Sequence, residues 1–322
     1  MRAIRVHETG GPEVLRLEEV APPTPGQGQV LVRVAATGLN YIETYQRTGL
    51  YKLELPFTPG GEFAGTVEAV GPGVTGWAVG ERVATASGTG GYAELALAPA
   101  DKLVRVPDGV DLKLAAAAML QGMTAHYLTH STFPLKAGDT CVITAAAGGV
   151  GLLLVQMAKL LGARVIGLVG SEAKAELARG AGADEVILYT KEPFAPRVRE
   201  LTGGRGADVV YDSVGASTAE GSLDSLRPRG MFVSFGNASG PVPPLAPLTL
   251  STKGSLFLTR PTLWHYISTP EELAWRSGDL FGWIGAGRLA VRVDRELPLA
   301  EAGQAHVAIE SRQTAGKVLI VP

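Results

Sequence analysis

Residues 145 to 151 read Ala-Ala-Ala-Gly-Gly-Val-Gly, between the apolar run Cys141-Val142-Ile143-Thr144 and an apolar stretch of helical character. That order predicts a strand, a tight glycine turn and a helix start. The start of such a helix attracts anions, because its first N–H groups lack intrahelical partners and the positive end of its dipole faces whatever lies over the turn. Glycines at 148, 149 and 151 let the backbone come close to that group. In a chain with 42 Gly a bare turn is the alternative. The context favours a dinucleotide phosphate instead: Arg164-Val165-Ile166-Gly167-Leu168-Val169-Gly170 reads as a second strand, at the separation a crossover helix needs in a βαβ unit.

The end of that second strand selects the dinucleotide. An NAD-type unit places Asp or Glu there for the ribose hydroxyls, whereas a 2′-phosphate needs positive charge. Here the strand ends in Gly170-Ser171, with Lys174 one helical turn later. A hydroxyl, helix N-terminal N–H groups and an ammonium suit a phosphate, so the expected cofactor is NADPH. Glu172 reads as a first-turn acid that favours the helix dipole and faces water. Without the glycine turn upstream, Lys174 would read as a solvated surface lysine.

With 322 residues the chain has room for two domains. Its 29 Lys plus Arg against 31 Asp plus Glu leave no basic field for nucleic acid or an anionic membrane. A lone Cys141, inside the first nucleotide strand, forms no internal disulfide and reads as a small packed residue. The N-terminal Met1-Arg2-Ala3-Ile4-Arg5 meets charge too early for a signal sequence, and no apolar run approaches a membrane span, so the expected setting is the cytoplasm. From 1 to 123, short alternating strands such as Val30 to Val34, Gly65 to Val70 and Arg82 to Ala84 stand between Pro and Gly turns, which predicts a compact β barrel. From 124 to 265, strands near 141, 164, 185, 208, 231 and 255 alternate with helical segments and predict a doubly wound six-stranded parallel sheet buried on both faces. Residues 266 to 322 supply a helix (Glu271 to Ala286) and a strand (Lys317 to Val321) returning to the first domain, and Pro241 to Pro247 reads as a rigid surface loop. The fold class is α/β.

The segments Gly38-Leu39-Asn40-Tyr41-Ile42-Glu43-Thr44-Tyr45, Pro59-Gly60-Gly61-Glu62, Asp212-Ser213-Val214-Gly215, Val233-Ser234-Phe235-Gly236-Asn237, Thr259-Arg260-Pro261 and Glu310-Ser311-Arg312 add a further constraint. With the glycine turn, they make the whole chain resemble the zinc-free, zeta-crystallin-like quinone oxidoreductase branch of the medium-chain dehydrogenase/reductase superfamily. The resemblance implies a GroES-like catalytic domain beside a Rossmann domain, and transfer of reducing equivalents from NADPH to a quinone in an interdomain cleft. It places Asn40, Tyr45 and Tyr51 near nicotinamide and substrate, with Tyr45, or water held by it, as proton source. It makes Gly149 and Val150 the pyrophosphate turn and Tyr127 a cofactor contact. Gly170, Ser171, Lys174 and Tyr189 correspond to the 2′-phosphate pocket, Ser213 to the adenosine side, Phe235 and Asn237 to the nicotinamide side, and Arg312 to a cofactor-binding arginine. The tyrosines have a plainer reading as barrel packing, and Arg312 as an exposed ion pair. The resemblance also implies a homodimer through the last nucleotide strand, Ser255 to Thr259.

No metal is expected. Zinc-dependent members of the superfamily use Cys early in the first domain and a His-Glu pair in a glycine turn, where this chain has Asn40 and Gly61-Glu62. Glu62 reads as a structural acid satisfied by backbone groups. His126 and His130 are four apart on a predicted helix and read as core or surface histidines, because no Glu follows His126 as a zinc-protease pattern requires. Two rival functions stay open. One is an NADPH-dependent enal, enone or enoyl-thioester reductase of the same fold. The other is a non-enzymatic crystallin-like or RNA-binding protein, which the net charge of -2 and the lack of a basic aromatic cluster disfavour.

Overall fold

The computed structural model describes residues 1–322. It divides into a first unit, Met1–Met123 with Ile267–Pro322, and a second, Thr124–Tyr266. The first opens with an antiparallel ribbon of β1 (Arg2–Arg5) and β2 (Arg16–Glu19). Then come β3 (Gln29–Leu39), α1 (Tyr41–Arg47), β4 (Phe63–Val70), β5 (Arg82–Thr85), β6 (Leu95–Pro99) and β7 (Val104–Arg105). Val30, Val32 and Val34 of β3 meet Phe63, Val67 and Val83 in one core. β3 runs well past the expected Val34, because register shifts at Leu31/Val32 and Val34/Ala36 interrupt the alternation from which its length was read. Helix α2 (Leu112–Tyr127) leads into the second unit and ends in a π turn, Leu128–Thr132.

In the second unit strands and helices alternate: β8 (Thr140–Ile143), α3 (Gly149–Leu160), β9 (Arg164–Val169), α4 (Glu172–Gly180), β10 (Glu185–Leu188), α5 (Phe194–Leu201), β11 (Ala207–Asp212), α6 (Ala219–Asp224), β12 (Leu226–Ser234), α7 (Pro247–Thr252) and β13 (Phe257–Thr259). The strands pair in parallel in the order β10-β9-β8-β11-β12-β13. This is the doubly wound arrangement, whose direction of winding reverses between β8 and β11, and ligands bind at the carboxyl ends of strands beside such a reversal. Val142, Ile166, Leu168, Val210 and Phe232 fill its core. Two strands differ from the sequence reading. β12 starts at Leu226, because Arg229 takes a left-handed φ of 59° and the Pro-Arg-Gly segment continues the strand instead of turning it. β13 starts only at Phe257, since Ser255 has a φ of 56°. The expected loop at 241 to 247 gives way to α7 at Pro247, a residue suited to a first helical turn.

The chain returns to the first unit as α8 (Pro270–Gly285), β14 (Val293–Pro298), α9 (Ala302–Glu310) and β15 (Lys317–Val321). Thr269 caps α8 by accepting from the Glu272 N–H at 3.3 Å. β15 pairs antiparallel with β3, Val318 opposite Leu39 and Leu319 opposite Gly38, so the sheet runs β14-β15-β3-β4-β5-β7, with β6 paired to the first half of β3. No helix is long and apolar enough to cross a membrane.

Candidate active site

In the second unit the glycine turn before α3 is built from an unusual backbone. Ala145 adopts a left-handed φ of 47°, its carbonyl accepts from the Gly148 N–H at 2.8 Å, and Gly148 caps α3. Leu152 N bonds to Gly148 O at 2.9 Å, so Gly149, Val150 and Gly151 supply the leading N–H groups of the helix. Gly151 is expected from the sequence to admit a ligand. Its place in the fold is different, since a Cβ there would stand 2.2 Å from Ala145 O, and the missing side chain lets the helix close on its own turn.

At the neighbouring strand ends Ser171 caps α4, its Oγ accepting from Lys174 N at 3.4 Å. A Cβ on Gly170 would lie 3.3 Å from the Tyr189 hydroxyl, so the small residue keeps room beside that group. Gly170, Ser171, Lys174 and Tyr189 thus meet at the carboxyl ends of β9 and β10. Glu172 does not simply face water. It accepts from Lys191 Nζ at 2.9 Å, a partner nineteen residues away that helical spacing does not reveal.

Fully buried Asp212 organises the ends of β11 and β12. It accepts from Val214 N (2.8 Å), Gly215 N (2.9 Å), Thr218 Oγ1 (2.7 Å) and Ser222 Oγ (2.7 Å), four donors that satisfy both oxygens of a buried carboxyl group. Ser213 N donates to Thr144 Oγ1 at 3.0 Å, and Phe235 N to Asp212 O at 2.8 Å. Ser213, Phe235 and Asn237 therefore sit on two loops held against one another, with Ala238 N donating to Ser213 O. Tyr127 is buried and stacks on Tyr266 at 4.3 Å. His126 and His130 stack at 4.1 Å, their rings parallel to within 8°.

In the first unit, Asn40 caps α1 and sits in a buried polar cluster. Its N–H donates to Glu43 Oε2 at 2.7 Å, and its Nδ2 donates to Gly38 O (3.1 Å) and Glu62 Oε2 (2.7 Å). Its Oδ1 accepts from Lys317 Nζ at 2.8 Å, and the same ammonium pairs with Glu62, both side chains fully buried. Glu62 Oε1 accepts from Leu120 N at 2.6 Å. The expectation that backbone groups satisfy Glu62 holds for Oε1 only, because Oε2 serves the ion pair with Lys317 and the Asn40 amide. This network also fixes the amide orientation of Asn40, since a flip would set NH2 against ammonium and oxygen against carboxylate. With both amide hydrogens used, Asn40 keeps only an acceptor lone pair for a ligand. Burial pushes the Glu43 carboxyl up to about 7, against the pull of Lys317 and the Asn40 N–H.

Tyr45 packs edge-on to Tyr51 at 5.4 Å and lies 6.1 Å from Tyr41, so the structure brings together the two tyrosines assigned to the substrate. Tyr51 N donates to Tyr45 O at 3.0 Å, and the Tyr51 side chain is exposed. At the far end of α1, Arg47 grips Glu310 through two bonds of 2.7 and 3.0 Å and also meets His306 Nδ1. Burial and the Arg47 charge hold His306 down at about 3. Tyr41 donates to Ile309 O at 2.9 Å. These contacts tie α1 to the end of α9, where Arg312 turns out with a φ of 58°. Sequence reasoning missed the roles of Glu43, Lys317 and Arg47, although Glu43 lies inside the Gly38 to Tyr45 motif. No three His, Cys, Asp or Glu side chains converge as metal donors.

Comparison with known proteins agrees with this architecture. Residues 26–108 match the family described as alcohol dehydrogenase GroES-like domain, and residues 149–270 the family described as zinc-binding dehydrogenase. A quinone oxidoreductase of Pseudomonas aeruginosa is 50% identical over 315 residues, covering 97% of each chain. A 2-haloacrylate reductase of a Burkholderia species is 47% identical over 325 residues, covering 98% of each. The crystal structure of the Escherichia coli quinone oxidoreductase complexed with NADPH matches with a TM-score of 0.98 at 44% identity, over 100% of both chains. The chain belongs to the quinone oxidoreductase family of the medium-chain dehydrogenase/reductase superfamily.

Proposed function

We propose that this chain is an NADPH-dependent quinone oxidoreductase that works without zinc. The observation that carries the reading is the full-length likeness to quinone oxidoreductases, one of them bound to NADPH. The residues fit that cofactor. The α3 N-terminus offers N–H groups to a pyrophosphate, and Gly170, Ser171, Lys174 and Tyr189 offer a 2′-phosphate space, N–H and hydroxyl donors and a positive charge. Ser213, Phe235, Asn237, Tyr127 and Arg312 are assigned to the rest of the cofactor. Bound NADPH supplies the reducing equivalents. A quinone accepts electrons readily, so what the chain must do is hold the reactants in register and keep competing water out. Asn40, fixed as an acceptor by Lys317 and Glu62, orients a donor group such as a ribose hydroxyl or carboxamide NH2. Tyr45, with Tyr51 beside it, holds the proton at its hydroxyl for the reduced oxygen.

A cytoplasmic homodimer is part of the proposal. In its support, β13 is the edge strand of the six-stranded sheet, and Phe257 is 57% exposed there. Sedimentation as a monomer at micromolar concentration would count against it. The likeness to 2-haloacrylate reductase favours activated alkenes as a second acceptor class. NADPH oxidation by the purified protein, compared on a naphthoquinone, a short enal, a 2-haloacrylate and an enoyl thioester, tests both. The quinone should give the highest kcat/KM, and an alkene exceeding it tenfold would reassign the enzyme.

A further inference from the structure

Glu172 poses a physical problem for the NADPH reading. It is the first residue of α4, directly after the capping Ser171, so a carboxylate stands at the helix end to which the 2′-phosphate is assigned. An unopposed acid there would repel a phosphate and could serve a ribose hydroxyl, as in an NAD-type unit.

The structure answers with Lys191. Its Nζ lies 2.9 Å from Glu172 Oε1. Its backbone is held in place: Lys191 N donates to Leu188 O at 2.9 Å, and the preceding Thr190 hydroxyl donates to Gly170 O at 3.2 Å, pinning this turn to the end of β9. Tyr189, two residues before Lys191, sets its hydroxyl over Gly170. The pair does little for stability, because its side chains are 66% and 62% exposed. What it alters is local charge. With Lys191 present, an ammonium 2.9 Å away offsets the Glu172 carboxylate at the start of α4; without it, the carboxylate loses that counter-charge.

We propose that Lys191 is a further specificity-determining residue, which selects NADPH over NADH by holding the Glu172 carboxylate in an ion pair away from the adenosine 2′-phosphate. The proposal rests on the NADPH reading above. It assigns Lys191 to Glu172 and not to the phosphate itself, so removing both charged groups should restore what removing one destroys.

The test compares wild type, Lys191→Met, Glu172→Gln and Glu172→Gln/Lys191→Met, by kcat/KM for NADPH and NADH on one quinone, at low and high salt. A carboxylate about one helical turn from a dianion in water, partly screened by salt, is worth about threefold to tenfold. The NADPH/NADH preference of Lys191→Met should fall by that factor at low ionic strength, and the fall should shrink in high salt, as a purely structural defect would not. The double variant should regain wild-type preference to within about twofold. A Lys191→Met preference unchanged at low salt overturns the proposal. So does a loss that persists in the double variant, which would put Lys191 on the phosphate directly. Wild type that prefers NADH would instead refute the underlying cofactor assignment, and it is read before any variant is made.

Discussion

Replacing Lys317 by Met tests the cluster under Asn40. Lys317 and Glu62 are fully buried, and the ammonium serves both the Glu62 carboxylate and Asn40 Oδ1. Met keeps most of the side-chain volume but takes the counter-ion from the buried Glu62 carboxylate and leaves it two neutral donors, Asn40 Nδ2 at 2.7 Å and Leu120 N at 2.6 Å. Losing one partner of a buried pair costs about 3–5 kcal/mol, chiefly as the penalty on the orphaned charge. For a unit of this size, each kcal/mol moves the melting midpoint by roughly 2–4 °C, so the midpoint should drop by roughly 6–20 °C. Three of the four tryptophans, Trp77, Trp275 and Trp283, belong to the first unit, so tryptophan fluorescence follows the relevant transition. Adding Glu62→Gln removes the orphaned charge, and the double variant should melt above Lys317→Met. A midpoint within about 3 °C of wild type for Lys317→Met would mean that water reaches Glu62 and the amide of Asn40 is not locked.

Glu43 links the same cluster to pH. Its carboxyl is raised from an ordinary 4.5 to about 7, so its contribution to stability is complete below about pH 4.5 and is lost as pH rises through about 7. His306, lowered from 6.5 to about 3, acts oppositely, stabilising above pH 6.5 and losing that effect as pH falls through about 3. The difference between Glu43→Gln and wild type therefore carries the test: between pH 4.5 and 7 the variant's urea midpoint should fall less with rising pH, and parallel curves would refute the assignment. Lys174→Ala should reduce kcat/KM for NADPH by about tenfold to a hundredfold more than for NADH, the worth of a hydrogen bond to a charged group; equal losses would give Lys174 a structural role. Elemental analysis of purified protein should find no stoichiometric zinc, and activity should survive a chelator; one bound zinc per chain whose removal abolishes turnover overturns the metal-free reading.

What was legible in the sequence follows the range of the interactions. The parallel sheet announced itself because strands buried on both faces are written as continuous apolar runs, and each helix between them needs only local spacing and a cap such as Ser171. Even there, backbone with positive φ hid part of the pattern: Ala145 and Arg229 carry no letter that marks a left-handed residue, so the packing role of Gly151 and the early start of β12 stayed unread. The buried cluster around Asn40 was legible only as a motif. Asn40, Glu43 and Glu62 stand in the Gly38 to Tyr45 and Pro59 to Glu62 segments, but the ammonium that gives them their arrangement comes from Lys317, 255 positions beyond Glu62 and 277 beyond Asn40. In the sequence, Lys317 is the polar first letter of a C-terminal strand. It gains a function when Val318 pairs with Leu39, because that register alone carries the preceding residue to Asn40. Arg47 and Glu310, 263 positions apart, repeat the case at the other end of α1. The last strand and helix of the chain thus do more than complete the first unit. They supply the charges that hold α1 at both ends, so a substitution in β15 or α9 should disturb Asn40 as directly as one in α1 itself.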